Sequence, residues 1–446
     1  MKSADVVVIG GSAAGAVAAV SCRRRYEGKS VLVIRKEGQV QVPCGIPYIF
    51  GTLGSVEKNV IPDALLQNNG VEIVKEEVLE VNREKKTVLL SGGESVGYDK
   101  LVMATGSLPI TVPIPGADKE NVFAINKDAN YLKSMLGEIN VAQDIVIIGG
   151  GFIGVEFADE CRKNHACNVT IVEILPHCLQ MAMDEEFCIE AESLLPELGV
   201  KVCCNQRVET ILGDRKVTGV RLSDGRELKA DVVIMGVGAI PNIALAAKAG
   251  LQTGKTKAIM VDRYMRTVTD QDIFACGDCA EKVSFFSGSP SAVMLASVAT
   301  AEARTVGANL FVTRQQNGGE IGVFSTMVGG RAFACAGLTE KAARQEGYDV
   351  VVGEAVATDT HPGGMPGAVS TKVKLVFSRG TGILLGGGIS GGKSAGEMIN
   401  VVSACIQHKM TFDEVALFQM GTHPALTASP IAYQIVNAAE LAAKAA

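Results

Sequence analysis

The stretch Asp5-Val-Val-Val-Ile-Gly-Gly-Ser-Ala-Ala-Gly15 decides the fold. Its unbroken apolar run reads as a strand buried on both faces, and the glycines after it permit a sharp turn into a helix. That helix is built of small residues and leads to a second apolar strand, Val31-Leu-Val-Ile-Arg35. Strand, glycine turn, helix and parallel strand make a βαβ unit. Its turn aims backbone N–H groups and a helix dipole at one point, where a pyrophosphate can sit. One such motif is weak evidence. The chain carries a second in the same register, Asp144-Ile-Val-Ile-Ile-Gly-Gly-Gly-Phe-Ile-Gly154, again closed by an apolar strand, Val169-Thr-Ile-Val-Glu173. Together they are strong evidence for two nucleotide-binding units.

Shorter signals surround these units. Leu101-Val-Met-Ala-Thr-Gly106 and Asp231-Val-Val-Ile-Met-Gly-Val-Gly238 are buried strands ending in small-residue turns, and Asp272-Ile-Phe-Ala-Cys-Gly-Asp278 delivers a carboxylate at a strand's carboxyl end. Ligands of such sheets bind at those ends. From Ile321 the pattern changes to strand-like runs (Val350 to Val356, Lys372 to Phe377, Ile383 to Leu385) alternating with helical ones. An α+β module with apolar faces, packing against another subunit, is expected there. The fold class is α/β: two Rossmann-like nucleotide-binding domains plus a C-terminal α+β dimerisation domain.

At 446 residues several domains are expected. The net charge of -6 without a long basic run argues against a nucleic-acid partner. No leader pattern or membrane-spanning apolar stretch is read, so the protein is expected to be cytoplasmic, with most of its 12 cysteines as reduced thiols.

The paired glycine turns, Ala104-Thr105-Gly106 and Cys276-Gly-Asp278 resemble the pyridine nucleotide-disulfide oxidoreductases over essentially the whole chain. The resemblance implies FAD on a discontinuous domain of residues 1–112 and 243–320, NADH on residues 113–242, and a homodimer formed through residues 321–446. It places Gly10, Ser12, Gly15, Ala104, Thr105, Gly106 and Asp278 on the flavin nucleotide, with Gly238 among the cofactor-binding turns. Gly149, Gly151, Gly154 and Glu173 fall on NADH. Glu173 accepts ribose hydroxyls and repels a 2′-phosphate, which favours NADH over NADPH. The family's matching Glu in the first unit is Arg35 here, an ordinary surface charge on its blander reading, and Glu37 is the residue that could reach back in its place.

Val42-Pro-Cys44-Gly-Ile-Pro-Tyr48 follows the first unit. Relatives with an internal disulfide carry a second cysteine five residues on; Ile49 stands there, so Cys44 is expected to work alone through a mixed disulfide, persulfide or sulfenic acid. A glycine-containing helix start would lend it thiolate character. The single-cysteine branch resembles NADH peroxidases and oxidases, coenzyme A disulfide reductases, and persulfide or sulfur reductases. The oxidases place a His in the first glycine turn, where this chain has Ala13. Arg23 and Arg24 match a segment that holds coenzyme A phosphates, or simply favour a helix C-terminus. Val40 and Pro43 replace the Ser and Asn that often precede the cysteine in coenzyme A disulfide reductases.

His423 resembles the family's acid/base His from the partner subunit, although its orienting Glu is replaced by Ala428. His361, in a Gly/Pro-rich loop, is a candidate substrate-binding residue, and Tyr433 a further proton donor. No metal is expected, since Cys276 and Cys279 lack two further ligands. The chain thus reads as an FAD-dependent NADH oxidoreductase reducing coenzyme A disulfide, coenzyme A persulfide or polysulfide through Cys44, with coenzyme A as substrate or bound ligand. The alternatives are a peroxide-forming NADH oxidase, a reductase of an electron-carrier protein, and a redox-responsive binding protein.

Overall fold

The first βαβ unit comprises β1 (Lys2–Ile9), α1 (Ala13–Arg25) and β2 (Val31–Arg35). This computed structural model describes residues 2–164 and 166–446. β1 runs parallel to β2 with Val6 opposite Val31 and Ile9 opposite Ile34, and Ser95–Met103 lies parallel on its other side. Val6, Val7 and Val8 are wholly buried, as a central parallel strand requires. Ile273–Ala275 pairs with Ser95–Met103, so the Cys276-Gly-Asp278 turn leaves the sheet beside Ala104. The small residues of α1 have a packing reason. A Cβ added to Gly307, on helix Ala296–Asn309, would lie 2.5 Å from the Cβ of Ser21.

The second unit repeats the design with β3 (Asp144–Ile148), α2 (Phe152–Asn164) and β4 (Asn168–Val172), flanked by β5 (Val200–Cys203) and by Val232–Met235. The repetition extends to the turn. A Cβ on Gly15 would lie 1.9 Å from the carbonyl oxygen of Gly10, and one on Gly154 1.9 Å from that of Gly149. Only hydrogen fits at either place.

Residues 321–446 carry a five-stranded antiparallel sheet in the order Val323–Val328, Arg331–Gly337, Leu384–Gly391, Ser370–Ser378, Val350–Thr358. The sequence anticipated three of these strands and undersized the central one. Leu384–Gly391 reads LLGGGISG, and glycine runs are depleted in strands. Here they are required, because a Cβ on Gly386 would meet the carbonyl oxygen of Leu338 at 1.9 Å.

The chain divides into two compact units, one of residues 1–112, 124–138 and 237–320, the other of 113–123, 139–236 and 321–446. In the latter, buried Lys374 of the C-terminal sheet pairs with Asp184 (3.5 Å), Glu186 (2.7 Å) and Glu340 (3.1 Å), and Phe152 stacks on Phe324 at 5.1 Å. No helix among the described residues is long and apolar enough to cross a membrane.

Candidate nucleotide and thiol sites

In the first unit three strand ends converge. Ala104 N donates to Ile9 O at 2.9 Å and Cys276 N to Met103 O at 3.1 Å. Ser12 begins α1 in an extended conformation without spending its hydroxyl on the helix. Thr105 Oγ1 donates to Asn242 O at 2.7 Å, which holds the Ala104–Gly106 turn, and Gly238 precedes Ala239–Pro241, which pairs with Ser107–Pro109. Asp278 accepts from Ser107 Oγ at 2.7 Å and has Lys127 Nζ at 3.9 Å.

A buried ion pair stands behind Asp278. Lys282 Nζ lies 3.6 Å from Glu302 Oε1 and donates to Gly277 O (2.7 Å) and Ala280 O (3.1 Å), while Glu302 Oε2 accepts from Gly277 N at 2.8 Å. Burial raises the Glu302 carboxyl to about 7. Lys127, Lys282 and Glu302 were not read from the sequence. Each sits in a patch whose local pattern announces nothing, and their roles arise from partners distant in the chain.

Arg35 is not a surface charge. Its side chain is 2% exposed, donates to the carbonyls of Glu37 (3.1 Å) and Gly38 (3.3 Å), and pairs with Asp63 at 2.6 Å. Its stem lies over the glycine turn, with Cδ 2.6 Å from where a Cβ on Gly11 would be. The glycine cradle and Asp278 fit a dinucleotide, but where the ribose carboxylate is expected there is a guanidinium spent on the chain itself. Glu37 beside it is half-buried.

The second unit keeps its carboxylate. Glu173 is 8% exposed; Oε2 accepts from Gly150 N at 2.5 Å and Oε1 from Leu175 N at 2.7 Å. Two backbone donors therefore hold the Glu173 side chain against the Gly149–Gly154 turn, a geometry that fits adenosine ribose hydroxyls. One turn into α2, the Glu156 carboxyl accepts from Thr326 Oγ1 at 2.9 Å and is raised to about 7 by burial. It too went unread.

Cys44 alone among the twelve cysteines is exposed; nine are buried. It sits in a single 3-10 turn, Pro43–Gly45, rather than at the start of a longer helix, so the expected dipole is short. Asn59 pins that turn, donating from Nδ2 to Val42 O at 3.0 Å, with its Oδ1 2.0 Å from where a Cβ on Gly45 would be. Ile49 is wholly buried, so the position of a partner thiol is core.

Arg23 is half-buried and donates to the carbonyls of Lys29 and Asn69, whereas Arg24 is exposed with Asn69 Oδ1 at 3.4 Å. His423 is exposed and its Nδ1 accepts from Ala425 N at 3.2 Å. His361 is the better oriented imidazole: its Nδ1 lies 2.9 Å from Thr427 O, and its backbone N donates to Pro424 O at 2.9 Å. The structure thus brings the 361 and 423 loops together. Ala428 and Tyr433 are both buried, and burial raises the Tyr433 phenol.

Residues 4–303 match the family model of the pyridine nucleotide-disulphide oxidoreductases, and residues 323–431 match that family's dimerisation domain. The chain is 30% identical to an NADH oxidase of Methanocaldococcus jannaschii, over 92% of each chain. It is 32% identical to a CoA-dependent NAD(P)H sulfur oxidoreductase of Pyrococcus furiosus, over 86% of this chain and 88% of the relative. Among solved structures, an NAD-dependent persulfide reductase from A. fulgidus superposes with a TM-score of 0.90 at 31% identity, covering 99% of this chain and 83% of the other. The chain belongs to the pyridine nucleotide-disulphide oxidoreductase family.

Proposed function

We propose that this oxidoreductase carries electrons from NADH through FAD to small sulfur species, namely coenzyme A disulfide, coenzyme A persulfide or polysulfide, at Cys44. One observation carries the reading: the exposed Cys44 thiol has a buried isoleucine, Ile49, where a second cysteine would close a disulfide. The names of the sulfur and persulfide reductases it resembles support it.

Gly10, Ser12, Gly15, the Ala104–Gly106 turn and Asp278 would hold FAD in a domain of residues 1–112 and 243–320. Gly149, Gly151, Gly154 and Glu173 would hold NADH in residues 113–242. Bound FAD supplies the two-electron relay between NADH and sulfur. With a disulfide substrate, the Cys44 thiolate attacks one sulfur, the S–S bond breaks and one thiolate leaves. The resulting mixed disulfide takes two electrons and one proton, releasing the second thiol and restoring the Cys44 thiolate. His361, with Nδ1 directed at Thr427 O, presents Nε2 for proton transfer, and His423 lies in the neighbouring loop. The exposed Arg24 suits a nucleotide phosphate better than the committed Arg23. The dimerisation-domain match supports a homodimer through residues 321–446, and a cytoplasmic location is part of the same proposal.

A second reading, NADH oxidase, has support in the names of two curated relatives and of a solved structure, but Ala13 leaves the first glycine turn without an imidazole. An anaerobic experiment decides. The protein is reduced with NADH, coenzyme A persulfide or disulfide is added, and flavin reoxidation is followed in wild type and Cys44→Ser. Turnover confined to wild type is expected; a variant that turns over like wild type refutes the thiol mechanism. Aerobic NADH consumption that survives the substitution supports the oxidase reading.

A further inference from the structure

Three elements of the second βαβ unit bring sulfur and carboxylate together away from Cys44. β4 and β5 end side by side, with Val172 opposite Cys203, and Cys204 follows. Cys178 comes from the loop after β4, and Glu192 from helix α3 (Glu185–Leu194). The two Sγ atoms and a Glu192 oxygen all lie within 4.8 Å of one another. Cys204 Sγ is 3.2 Å from Glu192 Oε1, which also accepts from Cys178 N at 2.6 Å; Glu192 Oε2 is 2.9 Å from His177 Nδ1.

We propose that Cys178, Cys204 and Glu192 bind one thiophilic divalent cation of the Zn²⁺ type, with His177 orienting the carboxylate from behind. The spacing fits. Zn–S bonds of about 2.3 Å and Zn–O bonds of about 2.0 Å give tetrahedral S···O and S···S edges of roughly 3.5 and 3.8 Å. The 3.2 Å contact between Cys204 and Glu192 is close to such an edge. Two thiols and one carboxylate select a borderline-soft ion over Mg²⁺ or Ca²⁺, and a ligating carboxylate is ordinarily held by a hydrogen bond from behind, as His177 holds Glu192. Binding replaces the two thiol protons, so one cation enters and two protons leave.

The site lies directly behind the second glycine turn. Cys178 Sγ is 2.6 Å from where a Cβ on Gly150 would stand, and Leu179 N donates to Gly150 O at 2.9 Å. Glu173 N donates to Cys203 O at 2.9 Å. A bound cation therefore braces the segments that hold Glu173, and it alters NADH affinity insofar as Glu173 holds NADH, as proposed above.

The test needs no nucleotide, so it stands apart from that reading. Full-length Cys44→Ser protein, reduced and stripped of metal, is titrated with Co²⁺ and then Zn²⁺. One equivalent per chain is expected, with a thiolate-to-cobalt charge-transfer band that Zn²⁺ abolishes. Adding Cys204→Ser or the isosteric Glu192→Gln should weaken binding at least tenfold, and His177→Ala about tenfold; Cys203→Ser, its half-buried neighbour, should leave binding unchanged. Circular dichroism checks that each variant is folded. Absence of the band, its loss in Cys203→Ser, or a Cys178–Cys204 disulfide with no metal in the protein as isolated overturns the proposal.

Discussion

Replacing Lys282 by Met tests whether the buried pair behind Asp278 supports the flavin turn. The substitution keeps a stem of similar length and removes the charge. Lys282 and Glu302 have side chains 2% exposed, so little solvent screening softens the loss. Removing one partner of a buried pair costs about 3–5 kcal/mol, and here the Ala280 carbonyl loses the Lys282 donor as well, while Gly277 O keeps Ala280 N at 2.9 Å.

Acidity sets the pH dependence. Burial already raises the Glu302 carboxyl from 4.5 to about 7, and Lys282 opposes that rise. A carboxyl raised by folding keeps its proton in the native state after the unfolded chain has released it. Stability therefore falls as pH rises from the unfolded value to the folded one. In wild type the fall ends near pH 7; without Lys282 the carboxyl rises further and the fall continues. From pH 6 to 8 the variant should lose more stability than wild type, by on the order of 1 kcal/mol. Urea unfolding at both pH values, followed by far-UV circular dichroism and by flavin release, measures this. A loss under about 1 kcal/mol at pH 8, or an equal loss at both pH values, refutes the argument.

Other predictions follow from the same contacts. Glu173→Gln leaves one of two backbone donors, Gly150 N or Leu175 N, without an acceptor, at about 1–3 kcal/mol. The KM for NADH should rise roughly tenfold or more, and an unchanged KM would remove Glu173 from the NADH site. Glu156→Gln removes a carboxyl that burial raises to about 7, so the variant should gain stability over wild type as pH climbs from 4.5 to 7, by on the order of 3 kcal/mol. Melting temperatures at pH 5 and pH 8 measure it, and a difference independent of pH counts against buried titration at Glu156. His361→Ala should lower turnover on the sulfur substrate by about 10²–10⁴, with His423→Ala milder; the reverse order would return the acid/base role to His423.

Much of this protein is legible in contiguous residues. The two βαβ units, the glycines at 15 and 154, the carboxylate at 173 and the cysteine at 44 with Ile49 five residues on all follow from local patterns. Strand burial, turn geometry and helix start depend on residues next to one another in the chain, so a linear reading recovers them. The helix expected at Cys44 shrank to one 3-10 turn, and the central C-terminal strand outgrew its apolar core, because neighbours outside each segment set its length. Tertiary structure alone decided that Arg35 is spent on Asp63, that Lys282 and Glu302 hold the Asp278 turn, that Thr427 orients His361, and that Cys178, Glu192 and Cys204 meet. Each of these depends on a charge or a polar atom finding its complement across a dozen to several dozen residues. Such pairing is set by where the folded backbone places side chains and by the cost of burying them unpaired, and neither quantity is written in the spacing of the sequence.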